Sequence, residues 1–313
     1  MSAVQHFLAL TDLDRPTLER LLDRALVLKA MQGRGEPHAT RRGRTLGMVF
    51  EKASTRTRVS FEVGMHHLGG HAVLITPRDS QIGRGEPIQD TARVLSRYVD
   101  AILLRTYAHE TLLEFARHAT VPVINGLTDL LHPCQLLADL LTLRERGRDL
   151  AHEVVAWVGD GNNMAHSWIH AARIFGFELR IATPPGYRPD PTILEGAGSV
   201  LLTGDPAEAV AGATVVATDV WASMGQEAEA AERRAAFAGF EVDETLVARA
   251  HPEHLILHCL PAHRGEEISE AVLEGPHSAV FDAAENRLHA QKALLEWLLP
   301  AARSESPAPL PGE

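Results

Sequence analysis

The chain has 313 residues, 45% of them hydrophobic and 23% charged, and a formal net charge of −11 at pH 7. A chain of this length has room for two domains, each with its own hydrophobic core. The negative charge argues against nucleic acid as the main partner, and no apolar run reaches the roughly 18 residues that predict a membrane-spanning helix.

The N-terminus and the cysteines bear on the compartment. The first residues lack the basic flank and apolar core of a secretory signal, so we expect a cytoplasmic protein. Cys134 and Cys259 lie far apart and outside any CxxC spacing. Neither a disulfide framework nor a structural zinc site is therefore indicated.

The first half of the chain alternates short apolar runs, typical of strands, with helical patterns. The predicted strands are TLGMVF, HAVLIT, AILLRT and VPVINGL. The predicted helices are Thr55–His67, PIQDTARVLSRYV and the long amphipathic segment CQLLADLLTLRER. Gly69 and Gly70 are expected to end the first of these helices.

The same alternation begins again in the second half. Its predicted strands are EVVAWVGD, ELRIAT, TVVATDVW and LILHCLP, and its clearest helices are MAHSWIHAARIFG and Glu285–Leu299. Strands that alternate with helices predict an α/β fold with parallel sheets flanked by helices. We place the domain boundary within the polar segment 144–153, which gives domains at 1–148 and 149–284. The tail, 304–313, is expected to be disordered.

The segment STRTR follows the first strand and begins the first helix. Ser54 lies at the N-cap position, where a helix offers free backbone N–H groups and the positive end of its dipole to an anion. The hydroxyls of Thr55 and Thr57 and the guanidinium of Arg56 add further donors. An ordinary capped helix with surface arginines is the alternative, but so many consecutive donors behind a strand favour a phosphate site.

Weaker signals come from polar residues near other strand ends of the first domain. Arg105 ends the predicted strand Ala101–Arg105, and the segment HPCQ begins a helix. Its His132 can donate to a carbonyl oxygen, and Gln135 can both donate and accept. Taken alone, a surface arginine and a turn with proline at the first helical position explain them equally well.

The second domain offers polar residues after two more strands. The loop GDGNN lacks the third glycine and the acidic residue of a dinucleotide-binding fingerprint, so that signal is weak. The tandem amides Asn162 and Asn163 suit a zwitterion, because amides hold both a carboxylate and an ammonium group. Asp219, ahead of a small loop with Ser223 and Met224, can hold an ammonium group, although a helix-capping role is nearly as well supported.

Cys259 ends another predicted strand. A nucleophilic cysteine needs an adjacent base, and His258 points to the opposite face of the strand. A small buried apolar residue is the usual role of a free cysteine, so covalent catalysis is not expected.

Taken together and in this order, the segments STRTR, RT, HPCQ, DGNNMAHS, DVWASMG, HCLPAHRGEE and FDAAENRLHAQKALL resemble the aspartate/ornithine carbamoyltransferase family, over about residues 8–299. The resemblance implies that 1–148 bind carbamoyl phosphate, that 149–284 bind ornithine, and that a C-terminal helix, 285–300, returns to the first domain. It also implies a homotrimer, or a multiple of trimers, with active sites at subunit interfaces. No metal or organic cofactor is expected, because carbamoyl phosphate carries its own leaving group.

The resemblance assigns roles residue by residue. It implies carbamoyl-phosphate contacts at Ser54, Thr55, Arg56, Thr57, Gln81, Arg105, His132, Gln135, Cys259, Leu260 and Arg287, with Gln81 reaching into the neighbouring subunit's site. It implies ornithine contacts at Asn163, Asp219, Ser223 and Met224. Thr57, Arg105 and His132 are expected to stabilise the oxygen that gains charge, and Cys259 is expected to act beside the reacting amine.

Other activities stay open at this point. A different acceptor amine, such as aspartate, putrescine or an N-acylated ornithine, would leave the phosphate half unchanged. Aspartate requires a cation for its second carboxylate, and putrescine has neither an α-carboxylate nor an α-ammonium group. Within the family we therefore expect carbamoyl transfer to the δ-amine of L-ornithine, giving L-citrulline and phosphate. A non-catalytic metabolite-binding protein and a nucleotide-dependent dehydrogenase are the alternatives from other classes.

Overall fold

The structure is a computed structural model that describes residues 4–76, 85–222 and 227–301. The strands are Thr45–Phe50 (β1), His71–Ile75 (β2), Ala101–Arg105 (β3), Val123–Leu127 (β4), Val154–Val158 (β5), Glu178–Ala182 (β6), Val200–Thr203 (β7), Val215–Thr218 (β8) and Leu255–His258 (β9). The α-helices are Arg15–Gly33 (α1), Thr55–His67 (α2), Ile88–Leu95 (α3), His109–His118 (α4), Pro133–Glu145 (α5), Asn163–Phe175 (α6), Pro191–Leu194 (α7), Pro206–Val210 (α8), Ala230–Ala236 (α9), Glu244–Val247 (α10), Glu270–Leu273 (α11) and Val280–Leu298 (α12). The predicted tail, 304–313, lies outside the described residues.

The first sheet is parallel, with the strand order β2-β1-β3-β4. Because β1 lies between β2 and β3, the winding of the chain reverses between β1 and β3. The pairing of Phe50 with Arg105 brings the carboxyl ends of these two strands level. In open α/β sheets a ligand crevice lies at such a reversal.

The second sheet is also parallel, with the order β7-β6-β5-β8-β9. Here the winding reverses between β5 and β8, where Val158 pairs with Thr218. Thr218 pairs in turn with His258 on β9, so the carboxyl ends of the three strands lie side by side. The predicted fold, two parallel sheets flanked by helices, is confirmed.

The predicted elements have the expected type, although several strands are shorter than predicted and α3 ends at Leu95 rather than Val99. Two further differences are informative. The last helix begins at Val280 rather than at the predicted Glu285. The prediction missed this start because Ala279, at the N-cap position, has no capping side chain to mark it. The helix α5 was expected to be amphipathic, but all its residues from Pro133 to Leu143 are buried. It lies between α1, α6 and α12, which cover it on several sides.

The C-terminal helix α12 returns to the first domain, as predicted, and packs against α1, α2 and α5. Polar contacts fix its position: Asn286 Nδ2 donates to Thr142 Oγ1 at 3.0 Å, and Lys292 Nζ donates to Gln32 Oε1 at 2.8 Å. This packing brings Arg287, which is 2% exposed, to the N-terminus of α2. Among the described residues, no helix has both the length and the apolar character needed to cross a bilayer.

Candidate active site

A cleft of about 560 Å³ lies where the carboxyl ends of the two sheets face each other. The predicted site residues that line it are Ser54, Arg56, Thr57, Arg105, His132, Asn163, Asp219, Cys259, Leu260 and Arg287. Thr55 is exposed, and Gln135 is buried behind the cleft wall. Gln81, Ser223 and Met224 lie outside the described residues.

The N-terminus of α2 forms one end of the cleft. Ser54 is the N-cap residue, and its side chain accepts from the Thr57 N–H at 3.2 Å. Thr57 is fully buried, so its hydroxyl faces the interior of the site rather than bulk solvent. The predicted helix start, with its free N–H groups and positive dipole end, therefore points into the cleft.

Two arginines from distant parts of the chain meet at the Thr57 hydroxyl. Its Oγ1 accepts from Arg287 Nη2 at 2.7 Å, and Arg105 Nη1 lies 3.5 Å away. Burial, and then the proximity of Arg287, lower the pKa of Arg105 to about 10. These two buried guanidinium groups lie close together, and an anionic ligand would supply the negative charge that offsets their repulsion.

Gln135 connects this cluster to a buried carboxyl. Its Oε1 accepts from Arg287 Nη1, and its Nε2 donates to Asp139 Oδ1 at 3.0 Å. Asp139 is 2% exposed, and burial raises its pKa to about 7. Gln135 thus holds Arg287 in place and does not reach the cleft surface in this structure.

His132 is a buried, neutral histidine at the cleft wall. Burial, followed by the positive charges of Arg287 and Arg105, holds its pKa well below the usual value. Its Nδ1 has no hydrogen-bond partner among the described residues. A neutral imidazole can donate a hydrogen bond to an oxygen without releasing its proton.

The opposite wall of the cleft presents a carboxylate and a thiol. Asp219 Oδ1 accepts from Cys259 Sγ at 3.0 Å, and Oδ2 accepts from Asn162 Nδ2 at 3.0 Å. Burial, and then the Asp219 charge, raise the pKa of Cys259 well above its usual value. The thiol stays protonated, which agrees with the expectation that it is not a nucleophile. Asn163, one of the predicted ornithine contacts, donates through Nδ2 to Thr128 O at 2.7 Å.

The turn after β9 bridges the two halves of the cleft. Leu260 has a left-handed backbone, with φ 58°, and its carbonyl oxygen accepts from Arg56 Nη2 at 2.5 Å. His258 is not among the residues that line the cleft, and both its ring nitrogens are engaged: Nδ1 accepts from the Leu260 N–H at 2.8 Å, and Nε2 donates to Glu267 Oε1 at 3.0 Å. It is therefore no base for Cys259.

Several cleft residues were missed by the sequence analysis. Arg233 Nη1 pairs with Asp160 Oδ2 at 2.9 Å, and its guanidinium lies over the Tyr187 ring. Burial raises the pKa of Asp160 to about 6. Asp160 follows a strand and was detectable as part of GDGNN. Arg233 lies in a helix 73 residues later, and nothing in the local pattern marks it.

Lys52, directly ahead of the STRTR segment, was also missed. Its Nζ pairs with Asp129 Oδ1 at 2.5 Å and lies 4.5 Å from the centre of the Tyr107 ring. The side chain is 4% exposed. Its position just after β1, near the carboxyl edge of the sheet, was the sequence feature that could have identified it as a cleft residue.

Among the described residues, two groups of side chains have the spacing of metal ligands. They are Asp219 with His258 and Cys259, and His263 with Glu266 and Glu267. In the first group both His258 nitrogens and the Cys259 thiol are engaged in the hydrogen bonds described above. These contacts account for the arrangement without an ion.

Comparison with known proteins agrees with this geometry. Residues 5–145 match the family model "Aspartate/ornithine carbamoyltransferase, carbamoyl-P binding domain", and residues 152–298 match "Aspartate/ornithine carbamoyltransferase, Asp/Orn binding domain". The chain is 59% identical to the ornithine carbamoyltransferase of Halorhodospira halophila, over 95% of this chain and 99% of that protein. It is 57% identical to that of Pelobacter propionicus, over 94% and 98%.

Solved structures show the same likeness. The ornithine carbamoyltransferase of Pyrococcus furiosus is 50% identical, with a TM-score of 0.91 over 96% of this chain and 98% of that one. The anabolic enzyme of Campylobacter jejuni is 42% identical, with a TM-score of 0.89 over 94% and 99%. The chain therefore belongs to the aspartate/ornithine carbamoyltransferase family.

Proposed function

We propose that the protein transfers the carbamoyl group of carbamoyl phosphate to the δ-amine of L-ornithine, giving L-citrulline and phosphate. One observation carries the proposal: a single cleft places buried arginines around Thr57 opposite the carboxylate of Asp219. The side of the cleft with the arginines suits a phosphorylated anion, and the side with Asp219 suits the ammonium group of an amino acid. The names of the relatives agree with this reaction.

The phosphate is proposed to bind at the N-terminus of α2. Ser54, Thr55 and Thr57 offer hydroxyls and backbone N–H groups there, and Arg56 and Arg105 offer charged donors. Arg287 would release the Thr57 hydroxyl to the ligand or share it. Charge-assisted hydrogen bonds of this kind are about twice as strong as neutral ones.

The carbamoyl end is proposed to lie towards His132, Cys259 and Leu260. Gln135, which holds Arg287 behind the cleft wall, would have to turn into the cleft to reach it. As the amine nitrogen attacks the carbamoyl carbon, negative charge develops on the carbonyl oxygen, and the bond from carbon to the phosphate oxygen then breaks. Donors from Thr57, Arg105 and His132 would stabilise that oxygen. Removal of one such donor typically costs about 10²–10³ in turnover.

The acceptor is proposed to bind against the second sheet. Asp219 suits an ammonium group of ornithine, and the neutral Cys259 thiol lies beside it. Asn163, Ser223 and Met224 complete the proposed ornithine contacts. The attacking amine must lose its proton before or during attack, and Cys259 is proposed to help bind it in the free form.

The cleft walls also contain cations that bear on substrate choice. Arg233 is paired with Asp160, whereas Arg188 is exposed at the wall. Arg188 is therefore available to a carboxylate of the acceptor. Aspartate therefore belongs in the test of specificity.

The domain roles and the assembly are part of the same proposal. Residues 1–148 with the helix 285–300 would bind carbamoyl phosphate, and 149–284 would bind ornithine. The protein would act in the cytoplasm as a homotrimer or a multiple of trimers, with Gln81 reaching a neighbouring site. Light scattering of the purified protein measures the assembly.

The experiment offers carbamoyl phosphate with ornithine, putrescine, N-acetylornithine or aspartate, and measures released phosphate and the ureido product together. We expect citrulline from ornithine, with kcat/KM about 10⁴ above that for putrescine, because the groups that bind the α-substituents would be left unpaired. Preferred carbamoylation of another amine would overturn the ornithine assignment. The absence of transfer to all four would overturn the proposed reaction.

A further inference from the structure

Two side chains at the start of α6 hold the backbone of the 128–132 loop from across the domain boundary. This loop joins β4 to α5. Asn163 Nδ2 donates to Thr128 O at 2.7 Å. Ser167 Oγ accepts from the His132 N–H at 2.8 Å and donates its own proton to Asn163 O at 2.7 Å. Ser167 is 1% exposed, so water does not compete for these bonds.

His166 makes a third contact to the same loop, in one defined tautomer. Its Nε2 accepts from the Asp190 N–H at 2.9 Å, so Nδ1 carries the proton and donates to Leu130 O at 2.9 Å. The residue is 6% exposed, and burial lowers its pKa, which favours the neutral form that these bonds require. Both ring nitrogens are used by backbone groups, so the ring has none to offer a substrate.

The loop determines where the His132 ring lies. His132 Nδ1 has no hydrogen-bond partner within the described part of the chain, so no second side chain fixes that nitrogen. The ring is 5% exposed, so its position depends on the backbone that carries it and on the side chains packed around it. That backbone is held by the second domain at Thr128, at Leu130 and at His132 itself.

We propose that His166 and Ser167 are positioning residues for carbamoyl transfer. From the second domain they fix the 128–132 loop and thereby aim the His132 ring at the carbamoyl oxygen. The inference rests on the proposed function. Asn163, a proposed ornithine contact, donates to the same loop. The start of α6 would therefore position both the acceptor and His132.

The first test compares Ser167→Ala and His166→Phe with the unaltered protein. We expect kcat to fall about 10- to 100-fold in each, because a displacement near 1 Å at the reacting centre costs on that order. The KM for carbamoyl phosphate should change less than about threefold, since the phosphate contacts are untouched. Ser167→Thr keeps the hydroxyl and should recover most of the rate.

The matched control is His170→Gln, one turn further along α6. His170 Nδ1 is buried without a partner among the described residues, and the loop contacts do not involve it. This variant should keep kcat within about twofold. An unchanged kcat in both Ser167→Ala and His166→Phe would overturn the inference.

A double-mutant cycle separates positioning from a general structural role. If the contacts act through His132, then Ser167→Ala combined with His132→Ala should be no slower than His132→Ala alone. Independent effects that multiply would overturn the inference.

A measurement without substrate separates this inference from the proposed function. The ¹⁵N chemical shifts of the His132 ring should change in Ser167→Ala and stay the same in His170→Gln. Unchanged shifts in Ser167→Ala would overturn the positioning role. Changed shifts in a protein that transfers no carbamoyl group would contradict the proposed reaction alone.

Discussion

Arg287 Nη2 donates to Thr57 Oγ1 at 2.7 Å, although 230 residues separate the two along the chain. The contact joins the C-terminal helix α12 to the N-terminus of α2. The C-terminal helix is therefore part of the proposed anion-binding end of the cleft, and it also packs against α1, α2 and α5.

Replacement of Arg287 by methionine should weaken carbamoyl-phosphate binding. The change removes charged donors and leaves the Thr57 hydroxyl and the Gln135 amide without this partner. A loss of about 1.5–3 kcal/mol corresponds to a rise in KM of roughly 10- to 150-fold. Steady-state kinetics with varied carbamoyl phosphate measure it. Arg144→Met, which breaks only an exposed pair with Asp23, is the control, and an equal KM in the two variants would contradict the role.

His132→Ala should lower turnover more than binding. The neutral ring is proposed to donate to the oxygen that gains charge in the transition state, so kcat should fall about 10²–10³-fold. Saturating kinetics at fixed pH measure this value. A rise in KM with unchanged kcat would show that His132 serves only to bind the ground state.

Asp219→Asn and Cys259→Ala should both affect the acceptor side. The carboxylate accepts from the Cys259 thiol and is proposed to meet an ammonium group of ornithine. Loss of its charge should raise the KM for ornithine by about 10-fold or more and leave the KM for carbamoyl phosphate nearly unchanged. If Cys259→Ala left both the pH profile and the ornithine KM unaltered, the proposed role of the thiol would be wrong.

The buried Asp139 should make stability depend on pH. Its pKa, about 7 in the folded protein, lies above its ordinary value near 3.8. Between these values the folded state binds more protons than the unfolded state, so the stability contribution is lost as pH rises towards 7. Relative to Asp139→Asn, the free energy of unfolding should fall by up to about 1.4 kcal/mol per pH unit. Urea unfolding at pH 5, 6 and 7 measures it; a difference that does not vary with pH would contradict this account.

Gly161→Ala should destabilise the second domain. An added Cβ would lie 2.3 Å from Pro189 N, and the Gly161 N–H already donates to Tyr187 O at 2.8 Å. We expect a loss of about 1–3 kcal/mol from this overlap. Gly204→Ala is the control, because nothing lies within 4 Å of its added Cβ. Denaturant unfolding measures the free energy of unfolding of both variants. Equal values for the two would contradict the close approach of the 187–189 backbone to Gly161.

The sequence was informative wherever a local signal exists. The helix α2 begins at Thr55 with Ser54 as its cap, as predicted, because a capping serine behind an apolar run is a local pattern. The start of α12 was missed because Ala279 gives no such signal. The burial of α5 on several sides depends on which helices pack around it, which periodicity alone does not reveal.

The site residues at strand ends were predictable from the sequence, whereas those brought to the cleft by tertiary packing were not. Arg105, at the end of β3, and Asp219, directly after β8, were found because strand ends converge in a parallel sheet. Arg233, which pairs with Asp160, was not found, since only tertiary structure brings its helix to the cleft. The contact between Asn162, the N-cap residue of α6, and Asp219 likewise depends on how β5 and β8 lie side by side in the sheet.

The central claim is that the two halves of this cleft act on one carbamoyl group. It is tested most directly by supplying carbamoyl phosphate labelled with ¹³C at the carbamoyl carbon, together with ornithine, and following the label by NMR. We predict that the protein moves the label into the ureido carbon of citrulline, stoichiometrically with released phosphate. Label that is lost only by the spontaneous breakdown seen without protein would contradict the account.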